Sequence, residues 1–342
     1  MATTTDYLTQ LQTDKQTLVT NLVAKGVEAD NSETFTTLVP KVADIQSGGD
    51  VSDYFKTPLV SGGLANPTYI YSYTSGINAS LLKVPSNISF SSYDSGTAMF
   101  RGCKNLVDCS SLVTANTSIL RSMNAMFQWC NSLKTIPLFD TSNVVDMSNT
   151  FMACISLTSV PLFNTSKVTN MGNMFNACSK LLEIPNFDTS NVTNMSYIFS
   201  NCSQITTIPE LNTGKVEDIS GAFQNCSKLE ILPLLNCQSC TNIYLIFSSA
   251  NNITTLGGFQ NLGQAYKTTQ SANYSYYKLD LSKQTKLTEQ SLINVLNNLY
   301  DIATAGCKVQ QVILGSTNLA KLTSEEGQAA LANAQTKGWT VS

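Results

Sequence analysis

The chain has 342 residues, 42% hydrophobic and only 13% charged, with a net charge of −3. That balance excludes disorder, which needs high charge and low hydrophobicity, and the lack of any Lys/Arg cluster excludes a nucleic-acid groove, whose affinity rests on neutralising phosphates. No histidine is present, which removes the commonest general base, zinc ligand and pH switch together.

Residues 1–48 read as a helical attachment or oligomerisation segment. Leu8, Leu11, Leu18 and Leu22 recur at helical steps, and Lys25-Gly26 closes that helix with a cation and a C′ glycine. A second helix starts near Asn31 or Ser32 and carries Phe35, Leu38, Val39, Val42 and Ile45, with a kink at Pro40. Ser47-Gly48-Gly49 reads as a hinge. So small an apolar surface suits docking onto a partner, and the leucine stripe permits self-association as a short coiled coil. The chain opens with neither a basic n-region nor an apolar h-region and holds no span-length apolar stretch. No signal peptide and no membrane insertion are expected, and folding in a bacterial cytoplasm is.

Residues 49–98, rich in Tyr, Ser, Gly and Asn, read as a lead-in coil and N-cap. Thr68 to Tyr73 alternate like a strand, and Leu81, Val84 and Pro85 already match part of the pattern that follows.

From residue 99 to 259 one period governs the chain. Phe127, Phe151, Phe175, Phe199, Phe223 and Phe247 lie 24 residues apart. Cys130, Cys154, Cys178, Cys202 and Cys226 follow three residues after their Phe, and Pro137, Pro161, Pro185, Pro209 and Pro233 keep the same interval. Three residue types locked to one period predict a solenoid, in which each unit is too small to bury its own apolar face and stacks on its neighbours. The Leu-x-x-[Ile/Val] centre is leucine-rich-repeat logic and predicts one short parallel strand per coil. Leu133, Leu157, Leu181, Ile205 and Leu229 should point inward, with the Phe and Met columns filling the interior from a more helical side. The predicted fold class is therefore α/β: a solenoid of short parallel strands, an N-terminal helical segment and a C-terminal α/β cap.

Phe100 to Phe127 is three residues too long, so a bulge is expected near residues 114–119. Asp140-Thr141-Ser142 and its copies read as Asx-type turns. The column Asp140, Asn164, Asp188, Asn212, Asn236 alternates acid with amide, which a turn tolerates and acid catalysis does not.

Six cysteines, Cys103 included, share one repeat position and read as a ladder of small buried thiols. Cys237 and Cys240 form a C-x-x-C pair without a second pair, at ordinary repeat positions, so no metal and no cofactor are expected.

Residues 260–342 leave the period and read as an α/β module closing the open end. Leu279-Asp280-Leu281, residues 309–314 and Trp339-Thr340-Val341 suggest strands. Thr288 caps a helix with Leu292, Ile293, Leu296 and Leu299 on one face, and Thr323-Ser324-Glu325-Glu326 reads as a capping box for a helix ending at Lys337-Gly338.

The repeat, best seen in Asp188-Thr189-Ser190-Asn191-Val192-Thr193-Asn194-Met195, resembles the BspA-like leucine-rich repeats of bacterial surface and mobile-element proteins. Residues 7–45 resemble the N-terminal module of phage and prophage tail or baseplate accessory proteins, and residues 315–340 are similar to a C-terminal module of prophage-encoded repeat proteins. These resemblances imply a non-enzymatic virion protein. Its N-terminal helices would bind other virion or tail proteins, and its solenoid would meet a host-surface glycan or protein. The alternative is a cell-surface adhesin using the same face.

The candidate binding face consists of the residues between the inward Leu and Ile: Lys134, Thr135, Thr158, Ser159, Leu182, Glu183, Thr206, Thr207, Glu230, Thr254 and Thr255. They form a low-charge, hydroxyl-rich row at regular spacing. The attachment residues are Leu8, Leu11, Leu18, Leu22, Phe35 and Leu38.

Overall fold

A computed structural model describes residues 81–84, 88, 90, 94–265, 278–307 and 310–342, with Gln12, Lys15, Gln16, Val19, Thr20 and Ser32. Gln12, Lys15, Gln16, Val19 and Thr20 are helical, inside the first expected helix. Leu8, Leu11, Leu18, Leu22, Phe35 and Leu38, and the strand expected around Thr68, lie outside the described residues.

The fold is mixed α/β with short parallel strands and few helices. β1 (Ile231–Leu232) pairs in parallel with β3 (Thr255–Leu256), and β2 (Leu235–Asn236) pairs with β4 (Phe259–Gln260). The C-terminal block comprises β5 (Lys278–Asp280), α1 (Glu289–Asn297), β6 (Gln310–Ile313), α2 (Gly315–Leu319), α3 (Glu325–Thr336) and β7 (Trp339–Val341), with β5, β6 and β7 in one parallel sheet in that order.

The longest ladder does not run through the Leu-x-x-Ile segments. Parallel bridges link Ser95, Ser122, Asp146, Asn170, Asn194, Asp218 and Asn242 in succession, at the Ser/Asp/Asn position just before the Met column. At five of these positions the side chain also closes an Asx turn: Asp146 Oδ1 accepts from the Ser148 amide at 2.9 Å, and Asn170, Asn194, Asp218 and Asn242 do the same two residues on. The expected turns after the prolines form too, with Asp140 Oδ1 accepting from the Ser142 amide at 2.9 Å and Asp188 Oδ1 from Ser190 at 3.0 Å.

The side of each repeat that carries Phe was expected to be more helical; it is a run of turns. The Met126, Gln128 and Cys130 amides donate three residues back, to Met123, Ala125 and Phe127. The alternate amides, of Met123, Ala125, Phe127 and Trp129, donate to Asp146, Ser148, Thr150 and Met152 of the next repeat at 2.8–2.9 Å. Ala125 and Trp129 have φ of 53° and 64°, as do Asn149 and Ala153 (58°, 60°) and Tyr197 and Asn201 (54°, 62°) one and three repeats on. A left-handed residue at every fourth position turns its peptide toward the neighbouring repeat and cannot continue a 3.6-residue helix.

The interior is apolar and columnar. Phe100, Phe127, Phe151, Phe175, Phe199, Phe223 and Phe247 stack with ring centroids 5.4–6.1 Å apart and planes within 20° of parallel. Phe163 and Phe187 stack on that column, against Phe151 and Phe175. Such pairs add about 0.5–1.5 kcal/mol each beyond their burial. Leu133, Leu157, Leu181, Ile205 and Leu229 are fully buried, as expected.

The extra residues of the first interval are 113–115, slightly before the expected place. Thr117 already takes the buried position of Thr141, and its carbonyl accepts from Leu120 as that of Thr141 does from Val144. In the lead-in, Val84 is buried and its amide donates to Asp108 at 2.8 Å, so this segment pairs with the repeat after it.

Thr288 caps α1 as expected, its hydroxyl accepting from the Ser291 amide. For α3 the cap is Ser324 and not Thr323, since the Ser324 hydroxyl accepts from Gly327. Gly327 cannot supply the reciprocal carboxylate of a capping box. Glu289 of α1 supplies it across the block, accepting from the Ser324 and Thr323 amides at 2.9 and 2.8 Å.

Candidate functional site

Two outward surfaces follow from this architecture. The first is the face expected from sequence. Along it the Lys134 carbonyl accepts from Thr158 (3.0 Å) and the Thr158 carbonyl from Leu182 (3.1 Å); farther on, the Thr206 carbonyl accepts from Glu230 and the Glu230 carbonyl from Thr254. These bonds hold corresponding side chains in register. Lys134, Thr135, Leu182, Glu183, Thr206, Thr207, Glu230 and Thr255 are exposed, whereas Thr158, Ser159 and Thr254 are half-buried. The Thr158 and Thr254 hydroxyls turn back onto the carbonyls of Lys134 and Glu230, so they offer solvent less than the sequence suggested. Leu182 (58% exposed) and Ile231 (45%) make the row partly apolar.

The second surface is the outer side of the turns. Sequence reasoning missed it, because its residue types vary from repeat to repeat. Asn176 Nδ2 donates to Asn173 Oδ1 at 2.9 Å, Asn201 Nδ2 to Asn176 Oδ1 at 3.3 Å, and Asn225 Nδ2 to Asn201 Oδ1 at 2.8 Å. Trp129 and Tyr244 are exposed, and the Arg101 guanidinium carbon sits 4.7 Å from the Trp129 ring centroid. Beside them, Tyr197 packs on Gly221 of the next repeat. Gly221 has φ +58°, and a Cβ there would lie 2.3 and 2.5 Å from Cε1 and Cδ1 of the Tyr197 ring. Only glycine leaves that space, which fixes the ring against the backbone.

The cysteines are interior groups. Cys130, Cys154, Cys178, Cys202 and Cys226 are buried, and each Sγ–H donates at 3.0–3.1 Å to the carbonyl of the preceding repeat's Phe: Phe100, Phe127, Phe151, Phe175 and Phe199. Burial pushes the thiols of Cys130, Cys178 and Cys202 far up, and those of Cys154 and Cys226 to about 12. A thiol held neutral by burial and committed to a carbonyl is a poor nucleophile. Cys237 and Cys240 are buried at the positions of Thr141 and Val144, with the Cys240 amide donating to the Cys237 carbonyl as Val144 does to Thr141. Among the described residues no group of three or more Cys, Asp or Glu could hold a metal, and no described helix is long and apolar enough to cross a membrane.

The sequence matches a family described as "Mycoplasma protein of unknown function, DUF285" twice, over residues 94–205 and 158–256. The repeats are similar to that family. BspA-like repeat proteins relate to it, so the likeness read from residues 188–195 has a counterpart in the match. The matched stretch ends with the 24-residue period and leaves both flanks outside. No curated protein matches the chain.

Proposed function

We propose that the repeats form a leucine-rich-repeat-like solenoid that serves as a rigid, non-enzymatic recognition scaffold of a phage or phage-like particle. The observation that carries the scaffold reading is the backbone ladder through Lys134, Thr158 and Leu182, which spaces outward side chains by one repeat over a fully committed interior. Parallel neighbours lie about 4.8 Å apart, a spacing suited to an extended ligand. Residues 1–48 attach the protein to other particle proteins, and the strand face meets a host-surface glycan or protein. The particle assignment is supported by the resemblance of residues 7–45 and 315–340 to modules of phage-tail and prophage proteins.

A second reading is a bacterial surface adhesin using the same face, supported by the resemblance of the repeats to the BspA-like repeats of bacterial surface proteins. One experiment separates them. Under the first reading the protein co-purifies with particles, and deleting residues 1–48 abolishes incorporation. Recovery from the surface of intact cells by brief protease treatment, with no protein in particle fractions, contradicts it and supports the adhesin.

A further inference from the structure

The turn face is uncharged along almost its whole length. Residues 124–131, 148–155, 172–179, 196–203, 220–227 and 244–251 contain no Asp, Glu, Lys or Arg. The strand face by contrast carries Lys134, Glu183 and Glu230. The charge-free segments hold the Asn173, Asn176, Asn201 and Asn225 amide row, the Tyr197 ring seated on Gly221, and exposed Trp129 and Tyr244.

The amide row is rigid because its backbone is rigid. The Asn173, Ala177, Tyr197 and Asn201 amides each donate to the next repeat at 2.7–2.8 Å. Asn176 Oδ1 and Asn201 Oδ1 each accept one bond within the row and keep a second acceptor position, while Asn225 uses one of its two N–H groups. Amides held this way bind hydroxyls without losing much side-chain freedom. The fixed Tyr197 ring offers an apolar surface with a polar tip, which suits the C–H face of a pyranose beside its hydroxyls. Repeats about 4.8 Å apart match the advance of an extended sugar chain by one unit per repeat. Lys180, Glu217, Asp218 and Lys228 border these segments, but the row itself holds no charge, so the contacts it offers are hydrogen bonds and not ion pairs.

We propose that the turn face, centred on Tyr197 and the Asn173, Asn176, Asn201 and Asn225 amides, binds an uncharged polysaccharide. The proposal stands on this face alone and does not depend on the particle or adhesin assignment, nor on the strand face.

Affinity gel electrophoresis of the full chain tests it, with a mixed-linkage β-glucan, a galactomannan and an α-glucan in the gel and polygalacturonate as the anionic control. At least one neutral polymer is expected to retard the protein, and the retardation is expected to persist from about 0.05 to about 0.5 M salt, since an uncharged ligand held by amides and an aromatic ring makes no ion pair for salt to screen. Tyr197→Ala is expected to weaken binding at least tenfold, Tyr197→Phe to retain it, and Gln335→Ala, exposed on α3, to leave it unchanged. If Tyr197→Ala does not fold, Asn225→Ala, at the end of the row, is expected to weaken binding severalfold. Retardation by none of the neutral polymers overturns the proposal. So does retardation by polygalacturonate alone, or loss of binding through Leu182→Ala with Glu183→Ala on the strand face but not through Tyr197 or Asn225.

Discussion

In the repeats, the carbonyls of Phe100, Phe127, Phe151, Phe175 and Phe199 each receive a thiol from the next repeat. In the C-terminal block, the Phe247 carbonyl receives Gln284 Nε2 at 3.3 Å and the Leu281 carbonyl receives Asn318 Nδ2 at 2.9 Å. The backbone follows the same plan. Gln284 donates to the Leu281 carbonyl and Leu287 to that of Gln284, as Cys130 does to Phe127 and Leu133 to Cys130. Lys286 reaches Asn252 and Lys321 reaches Leu287 across 34 residues, where Lys228 reaches Gln204 across 24. The stacked plan thus continues past the period, in longer repeats with amides in the thiol column. The comparison teaches that the position of the donor is kept while its chemistry changes. The change has a cost: Gln284 Oε1 and Asn318 Oδ1 are buried without a hydrogen-bond partner, and an orphaned acceptor costs about 1–3 kcal/mol. A thiol has no second group to strand.

The largest expected effect tests whether the two regions unfold together. Phe175 packs against Phe151, Phe187 and Phe199 at 5.7–6.4 Å, and Phe175→Ala should cost about 3–5 kcal/mol. Leu281→Ala, at the corresponding place in the C-terminal block, should cost about 2–5 kcal/mol. In urea unfolding each variant should keep one transition at a lower midpoint. Two resolved transitions would separate the regions.

Gly221→Ala is expected to cost about 1–3 kcal/mol, from a left-handed φ and from the displaced Tyr197 ring. Thermal unfolding and near-UV circular dichroism of the Tyr197 environment should both register it. Ala250 occupies the thiol column without a donor for the Phe223 carbonyl. Ala250→Cys should fill the gap and raise stability by about 0.5–1.5 kcal/mol, read as a higher urea midpoint.

The smallest effect is on acid stability. Hydrogen bonds from the Ser142 hydroxyl and amide hold Asp140 below the usual carboxylate range, and those from Ser190 do the same for Asp188. In the C-terminal block, the Ser324 amide, the Ser324 hydroxyl and the Thr323 amide depress Glu289. A depressed carboxylate contributes stability above its unfolded pKa of about 4 and loses it as pH falls through the lower folded value. The melting temperature should therefore decline on acidification below about pH 4, and Asp140→Asn, Asp188→Asn and Glu289→Gln should each flatten the decline.

Much of the interior was legible. Phe, Cys and Leu columns at one spacing announce stacking, and Asp-Thr-Ser announces its turn. The C-terminal strands and the Thr288 cap follow from alternation and capping chemistry. The turn run was not legible, because its left-handed positions hold Ala125, Asn149, Tyr197 and Leu245, and such variety carries no common signal. Nor were the Gln284 and Asn318 repeats, where interval and residue type change together. The α3 cap moved by one residue because Glu289, distant in sequence, provides the carboxylate expected at Glu326. Of the expected binding row, exposure was readable from the period, but the turning of Thr158 onto its neighbour's carbonyl was not.

One stacked ladder running from Phe100 into the C-terminal block should open as a unit, and amide hydrogen exchange in increasing denaturant reads this residue by residue. The amides of Ala125, Phe127, Trp129, Asn149, Phe151, Phe175 and Phe199 should open with the same free energy as those of Leu281, Gln284 and Leu287. Exchange of the last three at markedly lower denaturant, with the Phe-centred amides still protected, would contradict it.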